Sequence, residues 1–280
     1  MKPILLAAGL AAAVPAYDTY AKLYERLMNG STAAQLEDAL PGLSANLKTA
    51  NGISAKYWTD STPFDEVAKE FILPDKILDA LGIRHDITGG VVHVPAGLMH
   101  TYGYLFSQAK TPYGLKGKRW IESRIDERLG LPAGTFGALA AKGEFASNVT
   151  AAFLKLVGER PFIPTAAKIK LSSKFVGSVE QRVTWKTQDG KLVKAAVFTH
   201  LVPLKPLPGF ETKDSYLLIY SVVQDGRRRL VTGFPIDDSF AQSIMKTPPQ
   251  ESAAFVPRFN LYIDPSRTAV VQENRGFKPR

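Results

Sequence analysis

Through the first 160 residues, apolar side chains return every three or four positions; beyond residue 168 they return every second one. The first period belongs to helices with one buried face, the second to strands. Tyr20, Leu23, Tyr24 and Leu27 form the first helical stripe, stopped by Asn29-Gly30. Ser31 reads as the N-cap of a second helix over Thr32 to Leu40, ended by Pro41-Gly42. Residues 43–60 read as irregular. Thr62-Pro63-Phe64-Asp65 has the form of a helix start with proline at the first position, opening a helix with Val67, Phe71 and Ile72. A short partner runs from Pro74 to Leu81.

Val91 to Val94 is a candidate strand. Leu98, Met99, Tyr102, Leu105, Phe106 and Ala109 then recur at helical spacing, against a competing hairpin around Pro95-Ala96-Gly97. Trp120, Ile121, Ile125 and Leu129 mark another helix, and Val149, Phe153, Leu156 and Val157 a further one. The alternation of Val179, Gln181, Val183 and Trp185 then opens a run of hairpins. Asp189-Gly190 turns the first, with Leu192 to Val202 returning, and Asp225-Gly226 turns the second, between Tyr216–Gln224 and Arg227–Phe234. A helix capped by Asp237 or Asp238 follows, then a third strand pair over Arg258–Asp264 and Arg267–Gln272.

This order predicts an α+β fold, a helical N-terminal half followed by an antiparallel, hairpin-rich C-terminal half. The regions are 17–160 and 161–280, packed as one globule with a soft boundary near 158–167, where Gly158, Pro161 and Pro164 cluster.

The first sixteen residues stand apart. Lys2 and an uncharged run from Ile4 to Val14, too short to span a bilayer, precede Val14-Pro15-Ala16, which suits signal-peptidase cleavage. This predicts a signal peptide over 1–16 and a secreted or periplasmic protein. The chain has no cysteine, which removes disulfides, thiol nucleophiles, thiolate metal sites and a lipoprotein anchor.

The net charge of +9 is unevenly spread. Residues 17–109 hold seven Lys/Arg against eleven Asp/Glu, and residues 110–280 hold twenty-seven against fifteen. A basic surface concentrates anions: phosphates, acidic small molecules or polymers, nucleic acid.

Two segments carry candidate chemistry. On the helical reading, His100, Tyr104, Ser107 and Thr111 share the face away from Leu98, Tyr102 and Leu105, with Lys110 one residue before Thr111. A base, a phenol, a hydroxyl and an amine on one hydrated stripe would serve a cofactor-independent hydrolase or transferase. Ser107-Gln108-Ala109-Lys110 has a Ser-x-x-Lys spacing, but Ser243 and Lys246 repeat it, and such a match is expected about once by chance. The second segment runs from Thr111 to Trp120. Tyr113, Lys116, Lys118 and Arg119, with Gly114 and Gly117, would let backbone and cations approach an anion.

The histidines are spaced for no metal site, and no cofactor motif is present: Gly-x-x-x-x-Gly-Lys-Ser/Thr, Gly-x-Gly-x-x-Gly, Gly-x-Ser-x-Gly and His-Glu-x-x-His are all missing. The expected function is therefore binding of an anionic ligand by the Gly/Lys loop. The enzyme on the His100 stripe is one alternative; a metal-free nuclease on a basic sheet with His200 is another.

Overall fold

The protein is described by a computed structural model covering residues 17–65, 68–111, 114–136, 144–251 and 254–280. The expected leader, residues 1–16, and Tyr113 lie outside the described residues. Helices occupy the first half, and a six-stranded antiparallel sheet dominates the second, an α+β fold.

The sheet strands are β1 (Gly177–Lys186), β2 (Leu192–Pro203), β3 (Asp214–Gln224), β4 (Arg227–Asp237), β5 (Pro249–Glu251) and β6 (Thr268–Pro279). Their order across the sheet is β4-β3-β2-β1-β6-β5, every neighbour antiparallel. Asp225 and Gly226 both take positive φ, 52° and 69°, as the tight β3–β4 turn requires.

Among the described residues, the α-helices on the side of the main core are α1 (Tyr17–Met28), α2 (Leu43–Tyr57), α3 (Asp75–Ala80), α4 (96–106), α5 (Lys116–Glu122), α6 (Ile125–Arg128) and α7 (Phe145–Leu156). Helix α8 (Asp238–Met245) lies on the opposite face. Alternation along β3 sorts the two sides. Leu217 and Ile219 join the helical core, whereas Leu218 and Tyr220 pack with Ala241, Ile244 and Leu261. The middle of the sheet is thus covered on both faces. Near the β1–β2 turn one face stays wet, with Arg182 and Lys186 exposed opposite buried Val183 and Trp185.

Several local expectations change. The helix over Thr32 to Leu40 is reduced to a 3-10 turn at Ala34–Leu36, and the irregular stretch 43–60 holds the fifteen-residue α2. The Glu37 carboxylate explains both: it accepts the amides of Gly42 (2.6 Å) and Ser44 (3.0 Å), capping α2. Leu43, Leu47, Ala50 and Ser54 then bury one stripe, so tertiary packing overrides the weak helix propensity of Asn51-Gly52.

No helix follows Pro63. Phe64–Asp65 pairs with Glu70–Phe71, and Asp65 Oδ1 accepts the amide of Ala68 at 2.7 Å, closing a turn instead. The pair of strands expected at 258–272 does not form either. Thr268–Pro279 pairs with β1, and the chain before it bends through Phe259 and Asn260, both at positive φ (55° and 64°).

Candidate functional site

The α4 rod is the element on which the site turns. It is helical at Ala96–Leu98 and Tyr104–Phe106, with a π turn at Met99–Gly103 between them. A Cβ on Gly97 would lie 2.8 Å from the Trp58 ring, so glycine permits α4 to press against α2. Pressed there, α4 is covered all round. The face expected to be hydrated is buried: His100 and Ser107 are fully enclosed and Tyr104 nearly so.

His100 and Tyr104 find their partners inside the fold. Tyr104 Oη lies 2.9 Å from Thr232 Oγ1 on β4 and 2.9 Å from His100 Nδ1. His100 Nε2 lies 2.9 Å from Ser61 Oγ, which in turn lies 2.8 Å from the carbonyl oxygen of Asn260. A carbonyl only accepts, so Ser61 spends its one proton on Asn260 and must accept from His100. That places the imidazole proton on Nε2 and leaves Nδ1 to accept from Tyr104, whose oxygen accepts from Thr232. One directed chain therefore ties β4, α4, Ser61 and the Phe259–Asn260 bend together. Burial, with Lys116 nearby, holds the His100 pKa well below the ordinary histidine value, and burial raises the Tyr104 phenol.

The rest of the stripe disperses. The helix ends before Ser107, whose Oγ accepts the amide of Ala109 at 3.1 Å. Lys110 is exposed on a two-residue strand, its amide bound to the Glu70 carboxylate. His100, Tyr104, Ser107 and Lys110 thus share no solvent-facing surface. The change of φ/ψ at residue 107 breaks the spacing that aligned them.

The glycines of the basic loop serve the backbone. Gly114 takes φ 104° between the paired segments Lys110–Thr111 and Gly114–Leu115. A Cβ on Gly117 would meet the Tyr104 carbonyl oxygen at 2.7 Å and that of Leu105 at 3.1 Å. Gly117 therefore docks α5 onto the end of α4, and this contact brings Lys116 and Arg119 beside Tyr104.

There a cavity of about 310 Å³ opens between α4, α5, β4 and α8. Trp120, Phe234, Pro235, Phe240 and Phe259 make its apolar walls, and the Tyr104 ring completes them. Asp65, Thr111, Lys116, Arg119 and Asn260 supply the polar groups. Lys116 Nζ stands 2.6 Å from Asp65 Oδ2 and 5.2 Å from the centre of the Tyr104 ring. Arg119 bonds Asp214 at 2.5 Å and the carbonyl of Pro235 at 2.9 Å. Ser123 holds the other oxygen of Asp214 at 2.6 Å. Both cations are held by carboxylates, Lys116 by Asp65 in the wall and Arg119 by Asp214 behind it, so charge at the cavity is balanced pair by pair.

Of the residues expected to bind a ligand, Lys116 and Arg119 reach this cavity, joined by Tyr104 from the other candidate set. Lys118 points away, exposed and 3.9 Å from Glu122. Asp65, Phe234, Phe240, Phe259 and Asn260 were not legible as site residues. Only for Phe240 was a signal present: the Asp237 cap, which accepts its amide at 2.8 Å, fixes it in the first turn of α8.

The basic sheet gathers no comparable site. His200 is buried, with Nε2 3.3 Å from Arg228 Nη1, and burial together with that cation pushes its pKa down to about 3. Trp185 lies on the buried face, away from the exposed cations. A shallow groove on the wet face mixes Arg182, Lys191, Lys194 and Arg267 with Asp189, Asp225 and Glu273, so its charge is largely compensated. Among the described residues, no three His, Asp or Glu side chains converge as a metal site. Comparison with protein-family models, curated proteins and solved structures finds no match to this chain.

Proposed function

We propose that this chain is an exported binding protein whose ligand is a small acid with an apolar body of one or two rings, held in the cavity beside Lys116 and Arg119. The observation that carries the reading is the pairing of aromatic walls with two oriented cations, Lys116 and Arg119, in one concave pocket. Pockets for small molecules combine apolar lining with a few placed polar groups, and about 310 Å³ is at the small end of their range. A concave, mostly apolar pocket of this size favours a small molecule over the polymer that an extended basic surface would suit. An ammonium has three donors, so Lys116 can keep Asp65 and donate to a ligand carboxylate as well. Export is supported by the sequence of residues 1–16.

The test uses 2-naphthoate and its neutral amide as probes, titrated calorimetrically and by the fluorescence of Trp120. The acid is expected to bind about tenfold more tightly than the amide, the worth of one charge-assisted contact. Lys116→Gln should erase that preference while leaving the amide's affinity unchanged. Equal binding of acid and amide by the native chain would refute the proposal, as would failure of both to bind.

A further inference from the structure

The cations at the cavity are paired, which raises the question of where the molecule's uncompensated positive charge lies. Residues 160–176 contain Arg160, Lys168, Lys170 and Lys174 and no acidic residue. All four are exposed, and none of them is within ion-pair distance of a carboxylate among the described residues. At the head of this stretch stands Phe162, 90% exposed, the most exposed large apolar side chain described.

That exposure is built into the local backbone. Pro161 and Pro164 bracket the residue and restrict the chain on either side. The Tyr57 hydroxyl donates to the Phe162 carbonyl at 2.8 Å, and the next side chain, Ile163, is buried in the core. The loop is therefore pinned on both sides of a ring directed into water. Lys56, at the end of α2, stands 5.7 Å from the centre of that ring and 5.1 Å from that of Tyr57. Lys56, too, has no carboxylate within ion-pair distance among the described residues.

A rigid phenyl flanked by unpaired cations has the chemistry of an interfacial contact. The ring enters the boundary between headgroups and acyl chains, while Lys56 and Arg160 stay at the anionic headgroups. We propose that the Phe162 loop docks this protein on an anionic lipid surface, with Phe162 as the inserted group and Lys56, Arg160 and the following lysines as the electrostatic contact. One apolar insertion alone gives marginal binding, so the basic stretch is required as the second signal. The surface is remote in sequence from the cavity residues and does not depend on what the cavity holds.

The experiment is flotation of the intact chain with phosphatidylcholine vesicles, with and without ~30% phosphatidylglycerol, across a salt series. Binding is expected only to the mixed vesicles, and to fall as salt rises. Phe162→Ser, which removes no buried contact, should keep the native melting temperature and lower vesicle affinity about tenfold or more. The double variant Lys56→Gln, Arg160→Gln should weaken binding and flatten its salt dependence. Absence of binding to the mixed vesicles at low salt would overturn the proposal and direct the search to a protein partner. Unchanged affinity of the Phe162 variant would overturn it equally, and glycerol 3-phosphate competing fully would assign the site to a free phosphate.

Discussion

Acidification probes the buried polar architecture most directly. His100 and His200 are both enclosed, and desolvation holds both rings neutral, with Lys116 and Arg228 adding repulsion to their protonated forms. In the unfolded chain each ring returns to water and to a pKa of about 6.5. The folded values lie below the unfolded ones, so the unfolded state gains protons first as pH falls. Stability is then complete above about pH 6.5 and is lost below it. Between pH 7.5 and 5.5, a ring that remains neutral when folded costs the native state about 1.4 kcal/mol, and two rings about 3 kcal/mol. His200, pushed down to about 3, stays neutral across that window. Burial raises the Asp60 and Asp126 carboxyls, so their protonation favours the folded chain and opposes this loss. Urea unfolding at pH 7.5, 6.5 and 5.5 measures the loss, against a native stability that for a domain is roughly 5–15 kcal/mol. His200→Gln should lose about half as much as the native chain over the same window. A flat native profile, or a variant that falls as steeply as the native chain, would show that these rings are not held neutral.

The same groups and their neighbours give further expectations. Nitrogen-15 spectra should show the His100 proton on Nε2 and the His200 proton on Nδ1, since Arg228 can only donate to His200 Nε2; the reverse tautomers would break the directed chain. Tyr104→Phe leaves His100 Nδ1 and Thr232 Oγ1 without their partner and should cost about 1–3 kcal/mol in urea unfolding, so an unchanged midpoint would count against the network. Gly117→Ala forces a methyl onto the Tyr104 carbonyl and should cost about 1–3 kcal/mol. The same variant should also weaken naphthoate binding, because Lys116 rides on that contact; full affinity would separate the cavity from the α4–α5 junction.

The distribution of charge gives the two proposals different physical bases. At the cavity, Lys116 and Arg119 are oriented by Asp65 and Asp214, so the proposed recognition there rests on geometry. Around Phe162 the cations have no such partners among the described residues, which is the basis of the proposed attraction to an anionic surface. The +9 net charge says that positive charge is in excess; only the pairing says which part of it is available.

What was legible in the chain was whatever depends on neighbours a few residues apart. The α1 stripe, the Asp225-Gly226 turn, the Asp237 cap and the long hairpins all appear where the pattern put them, because local geometry and turn chemistry decide them. Lys116 and Arg119 were legible as candidates because cations and aromatics cluster at 111–120, and Tyr104 because it shares a helical face with His100. Their roles were not. Whether the His100 face meets water depends on β4, Ser61 and Asn260, which are distant in sequence and brought together only by folding. The helix at 43–57 likewise needed the Glu37 carboxylate and a core to press against, neither of which a periodicity window contains. Composition and local pattern set the class of fold and the supply of chemistry. Tertiary packing decided which groups were buried, which were paired and which face one another across the cavity, because those outcomes rest on contacts between residues far apart along the chain.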